Sequence, residues 1–399
     1  MKYIVVLGDG MADYRRGPLG VHTPLELAKK PNMDALAKDG LVGLVRTVDE
    51  DMKPGSDVAN LSVLGYDPRA CYTGRAPLEA LSLGIDMAED DSVFRMNFVT
   101  LSENENFSER IMEDYSAGEI SSAEGRELVE AIKEGLGNGC MEFFAGTSYR
   151  NCAILRGAQT EVTFTPPHDI TGKAIGEYLP KGEGSEIFTS LIERSINVLK
   201  DHPVNVKREA EGKNPANAIW FWGKGTKPRL ENFFDKYSLR GAVISAVDLL
   251  KGIAVGGGLE VIEVPGATGN LNTDFMGKAK ACVDALENND YVYLHFEAPD
   301  ECGHQGDAEG KIKSIEKIDE AIGYILEEIK KKGEDFVMAV LPDHPTPLAL
   351  KTHTADPVPF IVYNSLRPAR CGLGYNEEAA QKGLYLSNGR ALIRLMLKS

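Results

Sequence analysis

The sequence predicts an α/β fold, with a mainly parallel sheet, helices on both of its faces and an inserted α+β domain. Three observations lead there. Apolar runs that read as buried strands occur at the start of the chain (MKYIVVLGDG), in its last third (YVYLHFEAPD) and near its end (FVMAVLPDHP). Stretches with apolar residues at helical spacing alternate with them, which is the βαβ rhythm of a parallel sheet. In the middle of the chain the pattern becomes apolar and polar in alternation, as in exposed antiparallel strands.

Taken in order, the first run is a strand that delivers Asp9 between two glycines to the sheet's carboxyl edge, where open α/β folds place their chemistry. TPLELAKKPNMDALAKDGLVG then holds apolar residues at helical spacing. In DMKPGSDVANLSVLGYDP, Pro54 and Gly55 make a turn and Ser56 begins a helical pattern. Its hydroxyl would lie where free backbone N–H groups favour an anion, although a serine at that position also serves as a plain N-cap. MEFFAGTSYRNCAILRG and TEVTFTP carry the alternating pattern, and composition sets the insert at about 92 to 228, leaving 1–91 and 229–399 as the core. AVDLLKG reads as a helix closed by Lys251. YVYLHFEAPD ends at Asp300, with His304 four positions on. SIEKIDEAIGYILEEIKKKGEDF is an amphipathic helix with a Lys-rich end and a Gly stop. FVMAVLPDHP ends in Asp343 and His344, and His353 follows.

A single Asp after a strand is commonly a turn former or a cap. Here Asp9, Asp300 and Asp343 each follow a strand, and three of the seven His, namely His304, His344 and His353, fall beside them. Carboxylates and imidazoles arriving together from distant strand ends point to a metal site, and six such groups exceed what one four-coordinate ion takes up, so two ions are expected.

At 399 residues, 43% of them hydrophobic, the chain can bury a large core and is long enough for two domains. No apolar run approaches membrane-spanning length and no charged leader precedes the first strand, so a soluble cytoplasmic protein is expected. Cys71, Cys140, Cys152, Cys282, Cys302 and Cys371 are scattered without close pairs, which suggests neither a disulfide framework nor a thiolate metal site. The net charge of −16 argues against nucleic-acid and anionic-membrane partners. A small anionic substrate would need a local basic pocket, and homo-oligomerisation is left open.

The stretches VLGDGMAD, PNMDALAKDG, PGSDVANLSVLGYDP, YTGRAPLEA, EAPDECGH, PDHPTP and HTADPVPF, in this order and over nearly the full length, resemble the archaeal-type cofactor-independent phosphoglycerate mutases of the alkaline phosphatase superfamily. The resemblance implies an alkaline phosphatase-like core and an insert that acts as a cap holding glycerate. It implies that Asp9, Ser56, Asp343 and His344 surround one metal, and that Asp300, His304 and His353 bind the other. Such ligands suit Mn²⁺ first and Zn²⁺ second. Ser56 is then the nucleophile that carries the phosphoryl group as phosphoserine between the two hydroxyls of a retained glycerate, with no 2,3-bisphosphoglycerate required. His168 and Asp169 of TPPHDITGK are implied for proton transfer, and Lys224, Lys227 and Lys251 for binding phosphate and carboxylate.

From the residues themselves, Arg150 and Arg156 flank an alternating strand and are further anion-binding candidates, and Lys224, Lys227 and Arg229 cluster in FWGKGTKPRL. For each of these cations a solvated surface charge is the plain alternative. Arg75 could orient the phosphate loop with Glu79, or the two form an exposed i, i+4 pair. In the family pattern a His often stands where this chain has Glu119 and Asn151, and an acid near a substrate carboxylate would repel it. A homoserine kinase-like phosphotransferase is therefore the alternative, with phosphomonoester hydrolysis behind it.

Overall fold

A computed structural model describes all 399 residues. The chain divides into two compact units, Met1–Tyr72 with Arg229–Ser399, and Thr73–Pro228. The first crossing falls at 72/73 rather than 91/92. The helix Arg75–Ser82, although it precedes the change of composition, packs on the strands Ser92–Leu101 and Ala218–Gly225 and so belongs to the second unit.

The first unit is built on an eight-stranded sheet. From one edge to the other its strands are Leu384–Leu386, Leu41–Val45, Val358–Asn364, Phe336–Leu341, Lys2–Gly8, Tyr291–Phe296, Gly241–Ile244 and Glu260–Val261. All neighbours are parallel except Val358–Asn364, which runs against both of its partners. The three central strands are mainly apolar and, past Lys2 and Tyr3, buried, because helices cover both faces, so they show no alternation. On one face Ile4, Val6, Leu294 and Met338 pack against Ala279 and Cys282 of the helix Phe275–Ala285 and Ile318 and Ile322 of the helix Ala308–Lys332. Burying each of the Ile, Val, Leu and Met side chains contributes on the order of 2 kcal/mol. The helices Ser56–Val63, Asp248–Gly256 and Arg390–Lys398 lie together on the other face.

Two helical stretches differ from expectation. TPLELAKKPNMDALAKDGLVG is two helices, Pro24–Leu27 and Pro31–Asp39, because the ring of Pro31 disfavours helical backbone at Lys30. The second helix has no cap of its own; the Asp319 carboxylate accepts the free N–H groups of Asn32 and Met33 at 3.2 and 2.7 Å. AVDLLKG does not close at Lys251. The helix continues to Gly256, so Lys251 lies within it, ion-paired to Glu263 at 2.8 Å.

The second unit is a five-stranded antiparallel sheet. Ser92–Leu101 pairs with Arg150–Leu155, Ala218–Gly225 and Met112–Asp114, and Met141–Thr147 pairs with Arg150–Leu155. Phe94, Phe188 and Phe221 cluster in its core, with ring centroids 5.0 to 6.1 Å apart. The strand pattern in TEVTFTP does not become a strand. Pro166 and Pro167 lack the N–H groups a ladder needs, and only Thr163 makes a bridge, to Lys181.

Candidate metal centre and active site

The parallel order Phe336–Leu341, Lys2–Gly8, Tyr291–Phe296 brings three carboxyl ends to one edge. Asp9 directly follows Lys2–Gly8, Asp300 lies on the helix Ala298–Gln305 that follows Tyr291–Phe296, and Asp343 follows Phe336–Leu341. Gly10 makes the close approach possible. Its φ is +61°, and a Cβ there would lie 2.6 Å from Oδ1 of Asp300. Its N–H donates to Asp343 Oδ1 at 3.1 Å, tying the first and last of these loops together.

Asp9, Asp343 and His344 bring one ligand atom each within 4.8 Å of one another, and so do Asp300, His344 and His353. His344 therefore stands beside both groups. His304 joins the second, with Nε2 2.9 Å from His353 Nε2 and 3.2 Å from Asp300 Oδ2. Ser56 is the first residue of its helix, and Gly55, not Ser56, occupies the cap position, so the hydroxyl is free of capping. Instead Ser56 Oγ lies 3.3 Å from Asp9 Oδ2 and 3.2 Å from His344 Nε2. One turn on, the Asn60 amide donates to the Ser56 carbonyl at 2.8 Å and to Asp343 Oδ2 at 3.0 Å, and its own oxygen accepts from the Tyr293 hydroxyl at 2.6 Å. Ser56 and Asp343 are thus held by one side chain.

The electrostatics call for a cation. Asp9, Asp300 and Asp343 are all buried, and their ion-pair partners are imidazoles only. Burial, then the Asp343 and Asp300 carboxylates, push Asp9 well above the usual carboxylate range. For Asp300 burial acts the same way but is outweighed by hydrogen bonds from His304 and His353, which hold it low. The same Asp300 contact raises His304 to about 9. Burial lowers His344 and takes His295 down to about 3. Asp9 Oδ1 is buried without a hydrogen-bond partner. A buried carboxylate oxygen with nothing to accept is costly unless a cation completes it, so the donor set fits divalent ions.

Four supporting residues escaped the sequence reading. His295, whose Nε2 is 3.0 Å from Asp9 Oδ2, sits inside an apolar strand run, and its lone imidazole there was the available signal. Asn60 lies one helical turn from Ser56. Thr346 donates to Asp300. Lys311, fully buried, donates to the Ala12 and Thr346 carbonyls at 3.2 and 2.8 Å and to Asp13 at 2.8 Å, joining the loops after the first and last central strands.

The candidates Arg75, Arg150, Arg156, His168, Asp169, Lys224 and Lys227 belong to the second unit. Arg75 pairs with Glu79 at 3.0 Å, and Glu79 also holds Arg95 at 2.8 Å. Arg150 stacks over the Tyr149 ring. Arg156 is taken up by Asp91 and Glu142 at 2.8 and 2.7 Å, which makes it a structural clamp of the second unit rather than an open anion site. His168 lies 3.6 Å from Asp169 and edge-on to Trp222 and Tyr115. Lys224 donates to the Thr160 carbonyl, and Lys227 is half-buried nearby in sequence. Glu119 is exposed, and the Asn151 side chain is consumed by Gly146 N–H and the Tyr149 carbonyl, so the departure at 151 serves the hairpin.

A family model described as 2,3-bisphosphoglycerate-independent phosphoglycerate mutase matches residues 37–205, and one described as type I phosphodiesterase / nucleotide pyrophosphatase matches residues 181–346. A probable 2,3-bisphosphoglycerate-independent phosphoglycerate mutase of Geobacter sulfurreducens is 51% identical over the whole of both chains, and the mutase of Methanothrix thermoacetophila is 48% identical, again over the whole of both. The chain belongs to the 2,3-bisphosphoglycerate-independent phosphoglycerate mutase family. Solved structures agree. The cofactor-independent phosphoglycerate mutase of Thermoplasma acidophilum is 26% identical with a TM-score of 0.68, covering 100% of this chain and 99% of that one. A protein of Pyrococcus horikoshii is 31% identical with a TM-score of 0.83, covering 100% and 96%. No helix of this mutase-family chain is long and apolar enough to cross a membrane.

Proposed function

We propose that this mutase-family enzyme interconverts 3-phosphoglycerate and 2-phosphoglycerate through a phosphoserine at Ser56, with two divalent ions, manganese first and zinc second. The observation that carries the reading is Ser56 Oγ, uncapped and within 3.3 Å of both Asp9 and His344. Asp9, Ser56, Asp343 and His344 would hold one ion, and Asp300, His304 and His353 the other, with His344 close to both. When bound, such ions lower the hydroxyl pKa and neutralise phosphoryl oxygens.

Ser56 Oγ forms a bond to phosphorus as the bond from phosphorus to the substrate oxygen breaks, and that oxygen takes a proton. In the return step the other glycerate hydroxyl gives up its proton and bonds to phosphorus as the bond from phosphorus to Ser56 Oγ breaks, which frees the serine oxygen. His168 and Asp169 are assigned to these proton transfers. Lys224, Lys227 and Lys251 are assigned to retaining the glycerate, with Arg75 and Arg150 as further anion contacts. Retention decides the outcome, because water reaching the phosphoserine first would make the enzyme a phosphatase. We place the protein in the cytoplasm, as suits a phosphorylated metabolite.

The test is direct. Manganese-loaded protein is given 3-phosphoglycerate and product is followed through enolase, beside an assay with homoserine and a nucleotide. Formation of 2-phosphoglycerate with a Ser56-linked phosphate is expected; transfer to homoserine without mutase activity would refute the reading.

A further inference from the structure

We infer that His295 is a positioning residue, whose Nε2–H holds the Asp9 carboxylate so that Oδ1 is presented to a cation. The inference rests on the reading of Asp9 as a metal ligand. His295 lies on the central strand Tyr291–Phe296 in register with Leu7, so its ring reaches the carboxylate that follows the neighbouring strand. Nε2 is 3.0 Å from Asp9 Oδ2, and Nδ1 is 3.2 Å from Ser245 Oγ.

An ionised Asp9 carboxylate has no proton to give, so at 3.0 Å it accepts from His295 Nε2. Nδ1 is then left to accept from the Ser245 hydroxyl, whose oxygen takes the Val247 N–H at 3.0 Å. With Nδ1 accepting, the single ring proton is on Nε2 and points at Asp9. The donors then run one way, from Val247 N–H through the Ser245 hydroxyl to the ring, and from the ring to the carboxylate. Lys278 Nζ, donating to the His295 carbonyl at 3.1 Å, fixes the backbone of the same residue and places a positive charge beside it.

The consequence falls on Asp9. The terminal torsion of an aspartate is soft, so its own stereochemistry does not fix which oxygen points where. His295 and the Ser56 hydroxyl both sit on Oδ2, and Oδ1 is left without a hydrogen-bond partner, 3.6 Å from His344 Nε2. Outer partners of this kind typically govern metal affinity by about 10- to 100-fold.

Two measurements test this. In zinc-loaded protein labelled with ¹⁵N-histidine, long-range ¹H–¹⁵N correlation, with the resonance assigned by its loss in His295→Gln, is expected to show a proton on Nε2; a ring protonated on Nδ1 alone would overturn the inference. Calorimetric titration of the metal-free protein with Mn²⁺ supplies a readout apart from turnover. His295→Leu is expected to weaken one ion by about 10- to 100-fold. His295→Gln, whose amide N–H restores a donor, should recover most of that affinity, and KM for substrate at saturating metal should hardly move. Ser245→Ala, a small change that leaves the ring in place, should give a partial loss. Unchanged ion binding in both His295→Leu and Ser245→Ala refutes the positioning role. Asp9→Asn separates the two failures. If it loses no ion, the ligand assignment of Asp9 has failed; if it loses one while the His295 and Ser245 variants do not, only the role of His295 has.

Discussion

The carboxyl edge of the eight-stranded sheet and the antiparallel sheet of the second unit treat buried charge in opposite ways. At the sheet edge three carboxylates are crowded together with imidazoles as their only ion-pair partners, and one oxygen has no hydrogen bond at all. In the second unit the charged side chains close on one another. Arg156 sits between Asp91 and Glu142, Arg95 lies against Glu79, and Arg208 reaches Glu124. One region crowds like charges that an ion would balance, and the other sets each of these arginines against a carboxylate. The contrast teaches that the chemistry belongs where buried carboxylates lack a cationic partner, whereas a conspicuous arginine is often occupied.

The sharpest way to break the comparison is at Ser56. Ser56→Ala should lower mutase activity by roughly a thousandfold or more while leaving the fold intact, since no other nucleophile stands in its place. Activity within tenfold of the parent would remove the nucleophile. Next in size is the metal. Chelation should abolish turnover and Mn²⁺ restore it, and Asp300→Asn should bind one ion where the parent binds two, as counted by metal analysis. The pH dependence has a definite sign. His304, held at about 9 by Asp300, carries a proton at neutral pH in the metal-free protein. An ion at that site must displace it, so affinity there should rise with pH and level off above about 9. Affinity that falls over this range would place His304 outside the ligand set.

A stability pair sharpens the same contrast. Lys311→Met leaves Asp13 buried without its ammonium and should cost about 3 to 5 kcal/mol in urea unfolding. Arg156→Met should cost nearer 1 kcal/mol, because Asp91 keeps the backbone N–H groups of Ala88 and Gly157. Equal losses would show that the two regions are not built differently. The smallest effect is expected from Lys224→Ala with Lys227→Ala, which should shift product partitioning toward free phosphate at saturating substrate. Phosphate staying at the parent ratio would move glycerate retention to other residues, starting with Arg150.

The sheet edge was legible because strand-end carboxylates and imidazoles are rare and the strands they follow are mainly apolar. Asp9, Asp300, Asp343, His344 and His353 needed only the parallel order to converge, and Ser56 needed only a turn before a helix. His295 and Lys311 were hidden because they sit in the interior of a strand and a helix, where a polar residue announces itself only once its partner is known. The division at 72/73 was missed because Arg75–Ser82 reads as any amphipathic helix, and no pattern states which sheet it packs on. Arg156 misled for the converse reason. Its partners Asp91 and Glu142 lie 65 and 14 residues away and reach it only through sheet register.

The strand Val358–Asn364, which runs against its neighbours, has a further effect. Because it starts at the same edge where Phe336–Leu341 ends, the chain between them never has to cross the sheet, and one loop delivers both His344 and His353. The Thr354 N–H donates to the Pro345 carbonyl at 3.1 Å and the Lys351 carbonyl lies 3.0 Å from His304 Nδ1, so the loop is pinned at both ends of its histidine pair. A change that loosens this one loop should therefore be felt at both groups of ligands.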